Sequence, residues 1–269
     1  MKSPAKHANN HFYQGFTLVE VAVVLVIIGL VMGTFLVTLG AQIEQRKLSE
    51  TRVSLENAKE ALLGYAMAHG RFPCPAQAPS AGITAVEAFG ASGTATNGVC
   101  NDFFVGYLPS VTLGLSPTDT DGYMLDGWNN PIRYAISNLS DDTNTTYVFT
   151  KTFGMKNANS ATCAPNCGMT WIANQPLISI CSTGTGIIGG GCSGLGTTLA
   201  QGAVLVIYST GPNTSTGGVS TDEAANLNAD SAFVSHEPYA AGANEFDDIV
   251  EWASASSIFG RLVQAHQLP

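Results

Sequence analysis

The chain has 269 residues, 45% of them apolar and only 12% charged, where about 25% charged is usual for soluble domains. That length allows one sizeable domain plus an extended helix, or two small domains. The net charge is −9, and residues 72–269 hold four bases against fifteen acids, which excludes a phosphate-backbone ligand and leaves no nucleic-acid partner expected.

Residues 1–15, MKSPAKHANNHFYQG, are polar and carry Lys2 and Lys6 without an acid. They read as the n-region of an export signal, held on the cytoplasmic side by its positive charge while the rest of the chain crosses. Residues 21–43 follow with no formal charge among 23 positions. At about 1.5 Å of rise per residue, such a helix crosses a hydrocarbon core of roughly 30 Å. The run is longer than the 7–15 apolar residues of an ordinary secretory signal. Neither that signal nor a plain anchor explains the carboxylate of Glu20 at its head. Gly29 and Gly33 share one helix face, a spacing that permits close helix–helix approach but is also common in membrane helices.

The apolar run passes into residues 41–70 without Pro or a Gly pair. Leu48, Leu55, Leu62 and His69 recur at sevens, with Arg52, Ala58 and Tyr65 between. That stripe predicts one helix from about residue 16 to 68, its second half laid on a domain, with Arg52 and Glu56 paired across one turn. His69-Gly70 and Pro73 stop it.

Residues 73–118 read as loops. Strands are predicted at 131–137, 146–152, 169–173, 177–182, 203–209 and 246–252, each bounded by Gly, Asn, Pro or Asp. Residues 211–228 read as a loop and 256–264 as a terminal helix. A helix followed by consecutive strands makes the fold α+β: a long N-terminal helix, half in the membrane and half packed on the domain, against an antiparallel sheet with disulfide-stapled loops and a short C-terminal helix. The domain division is 1–15, a leader; 16–43, the apolar helix half; 44–71, the amphipathic half; and 72–269, an exported globular domain.

Six cysteines all lie beyond the apolar run. An even count past a membrane favours disulfides in an oxidising compartment, and zinc is the rival use. Cys163-x3-Cys167 and Cys181-x10-Cys192 do not repeat a zinc-ribbon spacing. Short loops close most easily, so the expected pairs are Cys74–Cys100, Cys163–Cys167 and Cys181–Cys192.

No catalytic set stands out. The five histidines are scattered, and no nucleophile elbow, zinc-protease helix or phosphate loop is present. No enzyme activity and no organic cofactor is expected.

Gly15-Phe-Thr-Leu-Val-Glu20 followed by a long apolar helix resembles the N-terminal signature of type IV pilins and of the pseudopilins of type II secretion. Weaker similarities lie in Asp126-Gly-Trp-Asn-Asn-Pro131 with Tyr134, in Arg71-Phe-Pro-Cys-Pro75 and in residues 246–252. The resemblance implies cleavage between Gly15 and Phe16 by a prepilin peptidase that also methylates the new amine. It implies that Glu20 pairs with a neighbouring subunit's amino terminus during assembly. The implied partners are that peptidase/methyltransferase, other pilins, an inner-membrane assembly platform and, before assembly, the bilayer. The implied location is the bacterial inner membrane, single pass, with the body in the periplasm, and then the pilus or pseudopilus. Three departures favour a minor subunit: a body larger than that of a typical major pilin, no helix-kinking Pro in residues 37–42, and Asn129 where pseudopilins usually have Gly. Some pseudopilins bind Ca²⁺ through a C-terminal loop, and Asp222, Asp230, Asp247 and Asp248 are the expected oxygen donors here. The alternatives are a filament-borne adhesin or substrate-binding module and, less in keeping with the residues, a membrane-anchored periplasmic enzyme.

Overall fold

The computed structural model describes residues 15–140, 146–158, 171–172, 174–192, 198–213, 220–239, 245–266 and 268, with residues 34–39 described by backbone only. Two compact units divide the chain at Arg46 and Lys47. The first contains the opening of helix α1 (Leu18–His69). Every described side chain from Gly15 to Arg46 in it is exposed.

In the second unit α1 continues with a buried face: Thr51, Leu55, Ala58, Leu62 and Ala66, flanked by Leu63. The steps of three and four residues among the first five are the helical repeat. Leu55, Ala58 and Leu62 belong to the sevens pattern; at its ends Thr51 is buried in place of Arg52 and Ala66 in place of Tyr65, and His69 is exposed. Thr51 is in place for a reason: its Oγ1 donates to the Lys47 carbonyl at 2.8 Å and accepts from Gly127 N–H at 2.9 Å. Glu56 pairs with Lys59 at 2.5 Å, and Lys59 also reaches Glu251 at 3.0 Å. The helix ends as its glycine requires. Gly70 has φ 65° and donates to the Ala66 carbonyl at 2.8 Å, a left-handed cap that few other residues adopt without strain.

The sheet is built on β6 (Thr198–Ser209). The strand order is β1 (Gly106–Tyr107), β2 (Arg133–Ile136), β6, β3 (Ile178–Cys181), β7 (Ala232–Val234), with β8 (Ile249–Ser254) also paired to β6. All pairs are antiparallel except β3 with β7, which are parallel. Gly202 lies in β6 at φ 80°, and the ladders on both partners shift register around Ala203. That irregularity bends one strand so that it serves three partners. A two-stranded hairpin, β4 (Ile187–Ile188) and β5 (Gly191–Cys192), stands apart. Short helices complete the unit: α2 (Ser110–Leu113), α3 (Gly154–Ala158), α4 (Thr221–Asn226) and α5 (Ala255–Gln264). The class is α+β.

The main core joins Leu55, Leu62 and Ala66 of α1 to Tyr134 and Ile136 of β2, Leu205 and Ile207 of β6, and Ile258, Phe259 and Leu262 of α5. Each such side chain contributes about 1.5–3 kcal/mol by leaving water. Disulfides Cys74–Cys100 and Cys181–Cys192, with Cα separations of 5.3 and 5.5 Å, close loops around it. Cys163 and Cys167 lie outside the described residues.

Four predicted segments differ. The stretch 73–118, expected as loops, holds β1, because Gly106 and Tyr107 pair with Tyr134 and Arg133 of β2, and it also holds α2. Residues 146–152 form turns, because their backbone groups pair with a distant loop: Tyr147 N–H donates to the Asn97 carbonyl at 2.8 Å and Thr152 N–H to the Ala95 carbonyl at 2.7 Å. Trp171 and Ile172, inside the strand expected at 169–173, are helical. The expected loop at 211–228 contains α4, which a serine cap starts: Ser220 Oγ accepts from Glu223 N–H at 3.1 Å. The pattern Ser220-x-x-Glu223 is a capping-box signature that sequence reading passes over inside a Gly/Ser/Thr/Asn-rich stretch.

Candidate functional site

The amino-terminal site is built by one short pattern. Thr17 precedes the first helical residue, and its Oγ1 accepts from Glu20 N–H at 3.3 Å. Its carbonyl accepts from Val21 N–H at 3.2 Å. Thr17 is therefore the N-cap, and Glu20 occupies the third helical position, where a carboxylate favours the positive end of the helix dipole. The Thr-Leu-Val-Glu order starts this helix whatever else it does. Gly15 and Phe16 lie just outside the helix, both exposed, with Phe16 81% accessible. Such an exposed, non-helical bond is open to a peptidase. Beyond Glu20 the surface is apolar all round, with Val21, Val23, Val24 and Val26 exposed on different sides. Among the described residues no helix is long and apolar enough to cross a membrane. The side chains of residues 34–39, in the middle of the apolar run, lie outside that description.

The segment that leaves α1 is fixed by a buried ion pair. The Arg71 guanidinium grips both Glu87 oxygens, with Nη2 to Oε2 at 2.9 Å, and also donates to the Tyr65 hydroxyl at 2.9 Å and the Phe72 carbonyl at 3.3 Å. Glu87 Oε1 accepts from Cys74 N–H at 2.9 Å. The Arg-Phe-Pro-Cys order thus places the cation and the Cys74–Cys100 bridge around one carboxylate.

The Asp126–Pro131 turn docks on α1. Asp126 Oδ1 accepts from Trp128 and Asn130 N–H, both at 2.8 Å, and Oδ2 accepts from Ser209 Oγ at 2.6 Å. Asn129 has φ 67°. Gly takes this left-handed conformation freely, and Asn is among the side-chain-bearing residues that tolerate it best. That explains how Asn replaces the usual Gly. Gly127 is constrained differently: a Cβ there would sit 2.4 Å from the Lys47 carbonyl oxygen. Tyr134, on β2, is fully buried and donates to the Pro73 carbonyl at 3.2 Å.

The acidic C-terminal residues fall into separate places. Glu223, Asp247 and Asp248 can each bring one carboxylate oxygen within 4.8 Å of the other two. Glu223 accepts from Asn213 Nδ2 at 3.0 Å and Asp247 N–H at 3.3 Å. Asp248 accepts from Asn226 Nδ2 at 2.7 Å. Asn226 in turn receives Val234 N–H at 2.7 Å, and the Tyr208 hydroxyl donates to its carbonyl at 2.6 Å. Burial pushes the Asp248 carboxyl up to about 7; the Asn226 bond opposes this, and the charges of Glu223 and Asp247 add to it. Hard carboxylate oxygens fit a divalent cation such as Ca²⁺ in chemistry, and these three residues are the ones that would hold it. Asp230 instead accepts from Ala232 N–H at 2.9 Å in the turn before β7. Asp222 accepts from Thr183 Oγ1 at 3.0 Å and meets His236 Nε2 at 3.1 Å. Glu223 was one acid among many in sequence, and its part in the cluster follows from the Ser220 cap.

His236 Nδ1 lies 2.8 Å from the Glu237 carbonyl oxygen and its Nε2 lies 3.1 Å from Asp222 Oδ2. Its ring stacks on Phe246, centroids 3.9 Å apart.

A family model described as the prokaryotic N-terminal methylation motif matches residues 11–36. No curated protein and no solved structure matches the chain.

Proposed function

We propose a pilin-type function for the chain, supported by that motif, which is consistent with the type IV pilin and pseudopilin family. From it we propose that the protein is a minor pilin or pseudopilin, cut between Gly15 and Phe16 and N-methylated on Phe16. The observation that carries the reading is the match at residues 11–36, with Glu20 at the third position of a capped, apolar helix in support. A carboxylate at the centre of a membrane costs about 2.5–3.5 kcal/mol by insertion scales, and less toward the end of the segment, where Glu20 lies. An opposite charge nearby offsets part of that cost. Cutting after Gly15 creates such a charge, on the Phe16 of this chain or of a neighbour. The apolar helix serves first as a single-pass anchor in the bacterial inner membrane, with the body in the periplasm. It then enters a filament core through contacts with other pilins, on an inner-membrane assembly platform.

Mass spectrometry of the mature terminus tests the processing: an N-methylated Phe16 is expected, and any other terminus overturns it. Substituting Glu20→Ala is expected to leave cleavage intact and abolish incorporation into filaments. Normal incorporation of that variant removes the assembly role. The carboxylates of Glu223, Asp247 and Asp248 favour one addition, a structural Ca²⁺ in the body. Calorimetry of the full chain with Ca²⁺ and then EDTA is expected to show heat and a shift in Tm; the absence of both removes the ion from the reading.

A further inference from the structure

A cavity of about 670 Å³ opens beside α4, its lining including Thr185, Thr221, Asp222, His236, Glu237 and Tyr239. That volume is in the range of small-molecule sites. Its floor is held in place. Asp222 is fixed by Thr183 Oγ1, Gly184 N–H and His236 Nε2, and His236 is fixed by its stack on Phe246. Tyr239 is held through its backbone, which exchanges two hydrogen bonds with Phe246, each at 2.9 Å. Its side chain nevertheless stands 60% exposed. The backbone is thus anchored while the ring is left facing solvent at the cavity wall.

The chemistry of the wall selects among ligands. Among the described lining residues there is neither Lys nor Arg, so a phosphate or carboxylate ligand would meet Asp222 and Glu237 without a compensating cation from a long basic side chain. A purely apolar ligand would strand the threonine hydroxyls and the carboxylates, which lose hydrogen bonds with water on burial. A ligand with many hydroxyls and one apolar face satisfies both halves. Its hydroxyls donate to Asp222 and Glu237 and exchange bonds with Thr185 and Thr221, while its C–H face lies on the Tyr239 ring. Saccharide rings have that construction.

We infer that this cavity is a binding site for a neutral saccharide, with Tyr239 as its stacking platform and Thr185, Thr221, Asp222 and Glu237 as its polar wall. The site belongs to the body and does not depend on the assembly reading, because the uncleaved chain carries it too. If Glu20→Ala assembles normally, the saccharide site still stands or falls on its own test.

The test uses the full chain in a sugar-free zwitterionic detergent. It is titrated with neutral trisaccharides of glucose, galactose, mannose and N-acetylglucosamine, with sialyllactose as the anionic comparison. Saturable binding of at least one neutral trisaccharide is expected, with Kd on the order of 0.1–1 mM. Tyr239→Ala should weaken it about tenfold or more at unchanged Tm, and Tyr239→Phe, which keeps the ring, should retain it. Failure of all four neutral probes to saturate overturns the proposal. So does stronger binding of sialyllactose, or equal binding by the Tyr239→Ala variant.

Discussion

The two halves of α1 are one helix governed by two different rules. From Leu18 to Gly33 the described side chains are exposed on every side and almost all apolar, and only the Thr17–Glu20 cap is polar. From Lys47 to His69 the helix buries six residues along one side, Thr51, Leu55, Ala58, Leu62, Leu63 and Ala66, and carries its charged residues off that side, with Lys59 and Arg261 reaching across to Glu251 and Glu60. A helix with one apolar stripe is stabilised by the domain it packs on. One that is apolar all round needs a surrounding that is itself apolar, whether lipid or other helices. The contrast teaches that secondary structure is shared while the stabilising environment is not, so substitutions in the two halves should report on different things.

The largest effect is expected at the exit from the helix. Glu87→Ala leaves the Arg71 guanidinium buried without its carboxylate and should cost the body about 3–5 kcal/mol, read by urea unfolding. A cost under about 1 kcal/mol would mean that the pair is not the anchor of this segment.

Next is the pH dependence at the far end of the sheet, measured with EDTA present. The Asp248 carboxyl, ordinarily near 3.8, sits near 7 in the fold. Below about pH 4 it is protonated in both states. Between about 4 and 7 the folded protein keeps a proton that the unfolded chain has released, so stability falls as pH rises through that window and levels off above it. The fall is up to about 4 kcal/mol from this group. Asp248→Asn, which does not titrate, should flatten it; an unchanged slope would place the titration elsewhere.

Leu55→Ala, in the stripe, should cost about 3 kcal/mol of body stability. Val24→Ala, in the apolar half, should leave that stability unchanged, since Val24 is exposed. Equal losses would break the distinction between the halves. The smallest effect is at the α4 cap, where Ser220→Ala should cost about 1 kcal/mol.

Much of the architecture was legible in the chain itself. The apolar run, the Gly70 stop, the strands around 133–136, 178–181 and 203–209 and the terminal helix all follow from local periodicity and turn chemistry. The Thr17 and Ser220 caps have local spacing signatures, yet the sequence reading passes over both, and the second lies inside a stretch expected to be a loop. What was not legible depends on distant partners. Residues 146–152 have strand-like composition, but their hydrogen bonds go to the loop at 95–98. The buried face of α1 is set by Thr51 because Gly127, 76 residues away, supplies the donor that Thr51 accepts.

The motif at residues 11–36 and the capped apolar helix are determined by sequence, because capping and the 3.6-residue repeat act within a few residues. The grouping of Glu223 with Asp247 and Asp248, the pairing of Asp222 with His236, and the burial of Arg71 with Glu87 are decided by tertiary structure. Each joins side chains 14 or more residues apart, and only the folded sheet and the loops around it bring them within hydrogen-bonding or charge-coupling distance.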